Sequence, residues 1–260
     1  MNLSFIVGRS ELKYFFLPEL IQDMRDYIRP YTELDPFSAE IENHSYTVRS
    51  IYFDTDSFDF YYEKMDGLKI RKKIRVRAYN EFDCDKPAFL EIKRRYNKQI
   101  IKERAKIPLT RMEEIHERLE NPLDIDTKWI NNKNTIDKYL YNIKKLHLRP
   151  TALITYEREA YIGSLNNHER VTFDKNIRCF LFPEINELFR EDDLKIVTND
   201  RFVLELKFEN FMPKWMIHLV RELRLRAEPI PKYCMSIDML INGNGKRTDQ
   251  PVIKRTYSYV

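Results

Sequence analysis

Glycine is scarce in this chain, five in 260 residues. That scarcity argues against a glycine-rich nucleotide loop, and the low-complexity composition of a disordered chain is missing as well. Cysteine is scarcer still. Cys84, Cys179 and Cys234 lie far apart and form no CxxC pair, so neither a disulfide framework nor a thiolate zinc site is expected and a reducing compartment fits. No apolar run approaches the roughly 20 residues a membrane-crossing helix needs. The opening MNLSFIVGRSELKYFF lacks the basic start, apolar stretch and small-residue cleavage site of a signal peptide, so the expectation is a soluble cytoplasmic chain without direct membrane insertion. A large excess of one charge is also absent. The net charge of +4 gives no ground for nucleic-acid binding, and any anion site must come from local clustering of Lys and Arg.

What remains is a folded, highly charged chain, 43% hydrophobic and 33% charged. No internal repeat or interdomain linker is visible, which predicts one domain over residues 1–240 and a polar, flexible tail over 241–260. Polar stretches at 121–127 and 190–201 read as loops. Strands are predicted near 9–16, 44–54, 68–80, 87–95, 99–107, 149–163, 168–174, 176–182 and 202–209 from alternation and β-branched or aromatic content. Helices are predicted at 18–29 and 213–225, each opened by proline and carrying one apolar stripe, and further at 57–65, 110–120, 128–146 and 233–241.

Side chains on a strand alternate between faces. In GLKIRKKIRVRAY this puts Lys69, Arg71, Lys73, Arg75 and Arg77 on one face, and Leu68, Ile70, Ile74, Val76 and Ala78 on the other. The same parity sets Glu91 and Lys93 against Leu90 and Ile92, and Glu205 and Lys207 against Leu204, Leu206 and Phe208. Lys102, Arg104 and Lys106 share a face, as do Arg170, Thr172 and Asp174. Such faces could simply be the wet side of a sheet. However, the run from 69 to 77 has no acid to relieve its cations, and the amphipathic helices can cover apolar faces turned outward. The expected fold is therefore α+β: an antiparallel β-barrel of about eight strands, charged inside, with flanking helices.

Ordered along the chain are RSELKYF at 9–15, SIYFDT at 50–55, FDFYYEK at 58–64, IRVRAY at 74–79, FLEIKRR at 89–95, KER at 102–104, YEREAY at 156–161, RVTFD at 170–174, VLELKF at 203–208 and KYC at 232–234. Together they resemble the VTC domain, the polyphosphate polymerase domain of the CYTH-like triphosphate tunnel metalloenzymes. The resemblance implies ATP and polyphosphate as ligands and a divalent metal, Mn²⁺ or Mg²⁺, as cofactor. It implies Arg75, Arg77, Lys93, Arg170 and Lys207 as catalytic cations, and Lys13, Lys102, Arg104, Arg158 and Lys232 as phosphate-binding ones. Glu205 is the implied metal ligand, with Glu91 and Glu11 as further carboxylates. The pattern departs from the family in two places. Arg9 stands where the tunnel hydrolases carry a first glutamate, which favours the polymerase branch, and Pro231 replaces a small hydroxyl residue before Lys232.

Phosphoryl transfer is mainly a matter of positioning and charge stabilisation, which Arg forks and Lys point charges provide. Transfer to an ionised polyphosphate end needs no base, whereas hydrolysis does. His44 and His168 lie near strands without an evident catalytic setting. The expectation is thus a polyphosphate polymerase, with a tunnel triphosphatase and a non-catalytic polyphosphate binder as alternatives. Aromatic residues in SIYFDT and FDFYYEK read as core rather than as a base-stacking site. The terminal KRTYSYV could dock a membrane protein partner, although short polar ends usually fray.

Overall fold

Period-two alternation is realised in long strands that hydrogen-bond in one curled sheet. The structure, a computed structural model, describes residues 9–97, 99–117, 132–198 and 200–242; the loop expected at 121–127 and the tail beyond 242 lie outside them. The elements are β1 (Arg9–Phe16), α1 (Ile21–Ile28), β2 (Thr32–Leu34), α2 (Pro36–Ala39), β3 (Tyr46–Asp54), α3 (Asp59–Met65), β4 (Ile70–Tyr79), β5 (Pro87–Tyr96), β6 (Gln99–Pro108), α4 (Met112–Glu117), α5 (Lys133–Lys145), β7 (Arg149–Gly163), β8 (Arg170–Leu181), β9 (Lys195–Ile196), β10 (Phe202–Glu209), α6 (Lys214–Glu222) and α7 (Lys232–Asn242). No helix among the described residues is long and apolar enough to cross a membrane.

Eight strands run in the order β1-β10-β8-β7-β3-β4-β5-β6, every neighbouring pair antiparallel, while short β2 and β9 attach to β7 and β8. The sheet forms a half-barrel with β1 and β6 at its two ends. The strands expected at 168–174 and 176–182 are one strand, β8. Its register slips opposite Thr155 and Glu157, and Asn176 takes a left-handed φ of 51° there, so the polar break in the sequence marks a bulge and not a turn. The loop expected over 190–201 contributes the two-residue β9.

The apolar strand faces do turn outward beneath helices. Ile51, Ile74, Val76, Leu90, Ile92 and Ile107 pack under Ile115 of α4 and Ile136, Tyr139 and Ile143 of α5. On the other flank Tyr14, Val171, Phe173, Leu204 and Leu206 meet Met24 and Ile28 of α1 and Met216 and Leu219 of α6. Each such side chain contributes about 1.5–3 kcal/mol by leaving water. This holds the charged faces inward.

The middle of the concave face is different. Val48, Ala152, Ile154, Tyr156 and Cys179 share their rungs with inward-facing residues, yet they are apolar and lie beneath Tyr233, Cys234 and Ile237 of α7. Thus α7 lies across the inside of the half-barrel, and the charged surface is confined to its two flanks. The anchor is Asp54, whose carboxylate accepts hydrogen bonds from the amides of Phe60 at 2.9 Å and Tyr61 at 3.0 Å in the first turn of α3, and from the Tyr233 hydroxyl at 2.6 Å. Past the other end of α3, Gly67 adopts a φ of 70° that favours a residue without a Cβ, allowing the chain to turn into β4.

Candidate phosphate-binding site

Antiparallel register places inward residues of successive strands side by side. One rung reads Tyr52, Arg75, Glu91, Arg104 across β3, β4, β5 and β6; the next reads Lys73, Lys93, Lys102; the next pairs Arg71 with Arg95. The first rung carries an acid between its two arginines. Glu91 meets Arg75 at 2.6 Å, Lys102 at 2.8 Å and Arg104 at 3.0 Å. Burial alone raises its pKa, but Arg75, Arg77 and Lys102 hold it well below the usual carboxylate range. Arg75 also donates to the Tyr52 hydroxyl at 2.7 Å. Arg77, only 6% exposed, donates to Ser50 Oγ at 3.0 Å and to the Tyr156 hydroxyl at 3.4 Å, and among the described residues has no carboxylate partner.

The second rung is not balanced. Like charges opposite one another destabilise a sheet, and Lys73 has no carboxylate within ion-pair reach among the described residues. Burial and the neighbouring Lys13 and Lys93 push its pKa down to about 8, against a pull upward from Tyr52 and Cys234. Lys93 is lowered by burial as well and reaches one acid, Glu11, at 3.8 Å. That contact links β5 to β1 across the bore.

On the far flank, Glu205 of β10 sits among cations: Lys207 at 2.8 Å, Lys13 at 2.9 Å, Lys232 at 3.3 Å and Arg158 at 3.6 Å. Burial opposes its charge, but Lys13, Lys207 and Lys232 hold it well below the ordinary carboxylate range. Lys13 also meets Glu11 at 3.1 Å, so two carboxylates from adjacent strands converge on one ammonium. Glu11 is likewise held down to about 2, against its burial, chiefly by Lys13. Asp174, fully buried, pairs with Arg158 at 2.6 Å and with Lys232 at 2.6 Å.

The structure therefore brings Arg75, Arg77, Lys93, Lys102, Arg104 and Glu91 together on one wall, and Glu11, Lys13, Arg158, Glu205, Lys207 and Lys232 on the other. Arg170 is placed less deeply. It begins β8 exposed to solvent, opposite Lys207, with no ion pair among the described residues. A cavity of about 420 Å³ runs between the walls, lined by Glu11, Lys13, Lys64, Arg71, Lys73 and Lys93, with Pro231 among its rim residues. Lys73 and Arg71 belong to the cationic run of β4, and parity alone could have promoted them. Tyr52, Tyr156 and Lys64 gave no such signal, since only the tertiary fold turns these residues toward the cations.

Along the chain, the family model of the VTC domain matches residues 8–241. The chain belongs to the VTC domain family. Membership associates it with polyphosphate-related function in general. No match to a curated protein was found. Among solved structures, one similar to this VTC domain is the PH1819 protein from Pyrococcus horikoshii OT3, at 15% identity and a TM-score of 0.44, covering 88% of this chain and 98% of that one.

Proposed function

We propose that this VTC domain is a polyphosphate polymerase that moves the terminal phosphoryl group of ATP onto a polyphosphate end. The observation that carries the reading is the stack of like-charged rungs, Lys73 with Lys93 and Lys102, then Arg71 with Arg95, on an inward face. Glu91 and Glu11 offset only part of this charge, at Lys102 and Lys93, and a polyanion between the rungs relieves the repulsion that remains. A chain of phosphates, charged at every repeat, is a ligand that can meet several rungs at once.

In the transfer, an ionised oxygen of the polyphosphate end attacks the terminal phosphorus of ATP, the bond to the bridging oxygen breaks, and ADP leaves. Arg75, pre-oriented by Glu91 and Tyr52, and Arg77, held by Ser50 and Tyr156, receive the equatorial oxygens on one wall. Lys13, Arg158, Lys207 and Lys232 neutralise the opposite end, with Asp174 fixing two of them. Glu11 and Glu205 are the residues that fit a divalent ion. Their oxygens converge from adjacent strands on a single positive group, a hard, all-oxygen set of the kind Mg²⁺ or Mn²⁺ completes with phosphate and water. A metal held there would supply Lewis-acid charge stabilisation to the transferring and leaving groups. Glu91, enclosed by three cations with no second carboxylate paired to them among the described residues, serves as an orienting group.

Hydrolysis requires a base with a pKa near the working pH. The carboxylates of the site are held low, and the described histidines stand outside it; His168, for example, pairs with Glu209. One observation favours a triphosphatase: burial would raise the phenol of Tyr52, yet Arg75, Arg77 and Lys73 bring it down to about 7. Incubation with ATP and Mn²⁺ separates the readings. Long-chain polyphosphate supports the polymerase, orthophosphate alone supports the hydrolase, and binding of polyphosphate without either product supports a binding module.

A further inference from the structure

Among the described residues, one inward hydroxyl of the far wall has no hydrogen-bond partner. Thr172 lies directly between Glu205 of β10 and Ala160 of β7, on the same face as Asp174 and Arg170. It is only 4% exposed, and its Oγ1 finds no hydrogen-bond partner among the described residues. A buried hydroxyl left unpaired is unfavourable, and native structures almost always satisfy such groups. Its surroundings explain the vacancy in bonding. Ala160 offers only a methyl group on one side, and on the other Glu205 spends its oxygens on Lys13, Lys207, Lys232 and Arg158.

Other unpaired hydroxyls differ in position. Thr155, also buried, stands opposite Arg49 and Arg178 on the outward face of β7, away from the cations. Thr172 alone of the two looks into the bore, beside the carboxylate that the cations surround. A ligand group that meets Lys13, Lys232 and Arg158 there is favoured when anionic, and an anionic oxygen is the acceptor that an O–H donor lacks. Such O–H···O⁻ bonds are among the stronger ones.

We propose that Thr172 donates its hydroxyl hydrogen to a phosphate oxygen of the bound triphosphate or polyphosphate, making it a further substrate-binding residue next to Glu205. The assignment rests on the phosphate-tunnel reading above and specifies a donor within it. It also predicts a signature that a structural threonine would not have. Replacing the hydroxyl by a methyl group of the same shape removes an unsatisfied donor from the free protein, so Thr172→Val leaves the fold as stable or more so while it weakens the ligand.

The test uses the full chain and inorganic tripolyphosphate, with affinity from calorimetry and Tm from thermal unfolding without ligand. The expected result is that Thr172→Val binds about tenfold more weakly or worse, the scale of a hydrogen bond to a charged acceptor, with Tm unchanged or raised. Thr172→Ser, which keeps the hydroxyl, should bind within a few-fold of the parent. Equal binding by parent and Thr172→Val overturns the proposal while sparing the tunnel reading. Weak binding that Thr172→Ser fails to restore, accompanied by a lowered Tm, assigns the residue to packing and also overturns it. A parent that does not bind tripolyphosphate removes the tunnel reading and this donor together.

Discussion

Lys232, the first residue of α7, places its Nζ 2.6 Å from Asp174 of β8, and Arg158 of β7 grips the same carboxylate through two hydrogen bonds at 2.6 and 2.7 Å. The acid is fully buried, so neither cation can be released without leaving charge uncompensated. Removing one member of a buried ion cluster typically costs about 3–5 kcal/mol. Asp174→Asn is expected to lose stability on that scale in chemical denaturation. The pH dependence follows from the sign of the shift. Burial raises the pKa of Asp174, Arg158 and Lys232 outweigh it, and the net pKa is lowered. Its stabilisation is therefore present above the ordinary aspartate range, about pH 4, and lost as pH falls through the lower folded value. Acid unfolding of Asp174→Asn should lack that component.

Lys73 carries the opposite sign. Its folded pKa of about 8 lies below the 10.5 of a free lysine, mainly through burial. Between these values the unfolded chain binds the extra proton, so stability rises with pH through this window and the residue is a net cost below it. Lys73→Met should raise the Tm of the ligand-free protein by about 2–4 °C, on the order of 1 kcal/mol in a domain of this size. The same substitution should weaken tripolyphosphate binding. In the parent protein a bound polyanion restores the proton, and calorimetry at pH 8 in buffers of different ionisation enthalpy should show net proton uptake that Lys73→Met has lost. An unchanged affinity with a lowered Tm would remove Lys73 from the site.

The inward parity of these cations was legible in the sequence because strand alternation is local. IRKKIRVRAY, FLEIKRR and VLELKF each state which residues share a face, and the stripes of α1 and α6 state that apolar faces elsewhere need a cover. What alternation cannot state is which strands lie side by side. The rung of Lys73, Lys93 and Lys102 depends on hairpin register, and the meeting of Glu11 with Lys93 depends on how far the sheet curls. Nor did the helix at the chain's end reveal that it would lie inside. Its stripe of Tyr233, Cys234 and Ile237 looks like that of any covering helix, and only the apolar inward residues of β3 and β7 make it a filler of the concave face. Arg170 shows the same limit. Its motif is intact, while its position as the first residue of β8 leaves it exposed.

Tyr52 stacks on Tyr233 with ring centroids 5.4 Å apart and accepts a hydrogen bond from Arg75. With Arg75, Arg77 and Lys73 overcoming its burial, its phenol should ionise near pH 7, visible as phenolate ultraviolet absorbance that Tyr52→Phe removes. Its stabilising share is complete above the ordinary tyrosine value of about 10 and declines as pH falls through about 7. Tripolyphosphate brings negative charge to the same cations and should shift the transition upward. For a polymerase, Tyr52→Phe should slow transfer modestly, about tenfold, through a less constrained Arg75. For a hydrolase using the phenolate as base, the loss should reach about 100-fold or more and the alkaline rise in the rate profile should vanish.

Glu205 and Glu91 occupy matching Glu-x-Lys strings on β10 and β5, yet the fold gives them different company. Glu205 shares the ammonium of Lys13 with a second carboxylate, Glu11, whereas Glu91 is enclosed by Arg75, Lys102 and Arg104. Both acids have several cations around them, but a divalent ion at the first would have two carboxylates to hold it and at the second only Glu91. Glu205→Gln should therefore weaken Mn²⁺ binding, read from the signal of the free ion in electron paramagnetic resonance, by at least the 10–100-fold that loss of an outer-sphere partner costs. Glu91→Gln should leave that titration in place while lowering turnover, because Arg75 loses its orienting acid. Removing the guanidinium itself in Arg75→Ala should cost more, roughly 10³-fold or beyond, as for arginines that stabilise a transferring phosphoryl group. Equal Mn²⁺ titrations for the parent and Glu205→Gln would place the metal elsewhere and leave Glu205 as one more orienting carboxylate.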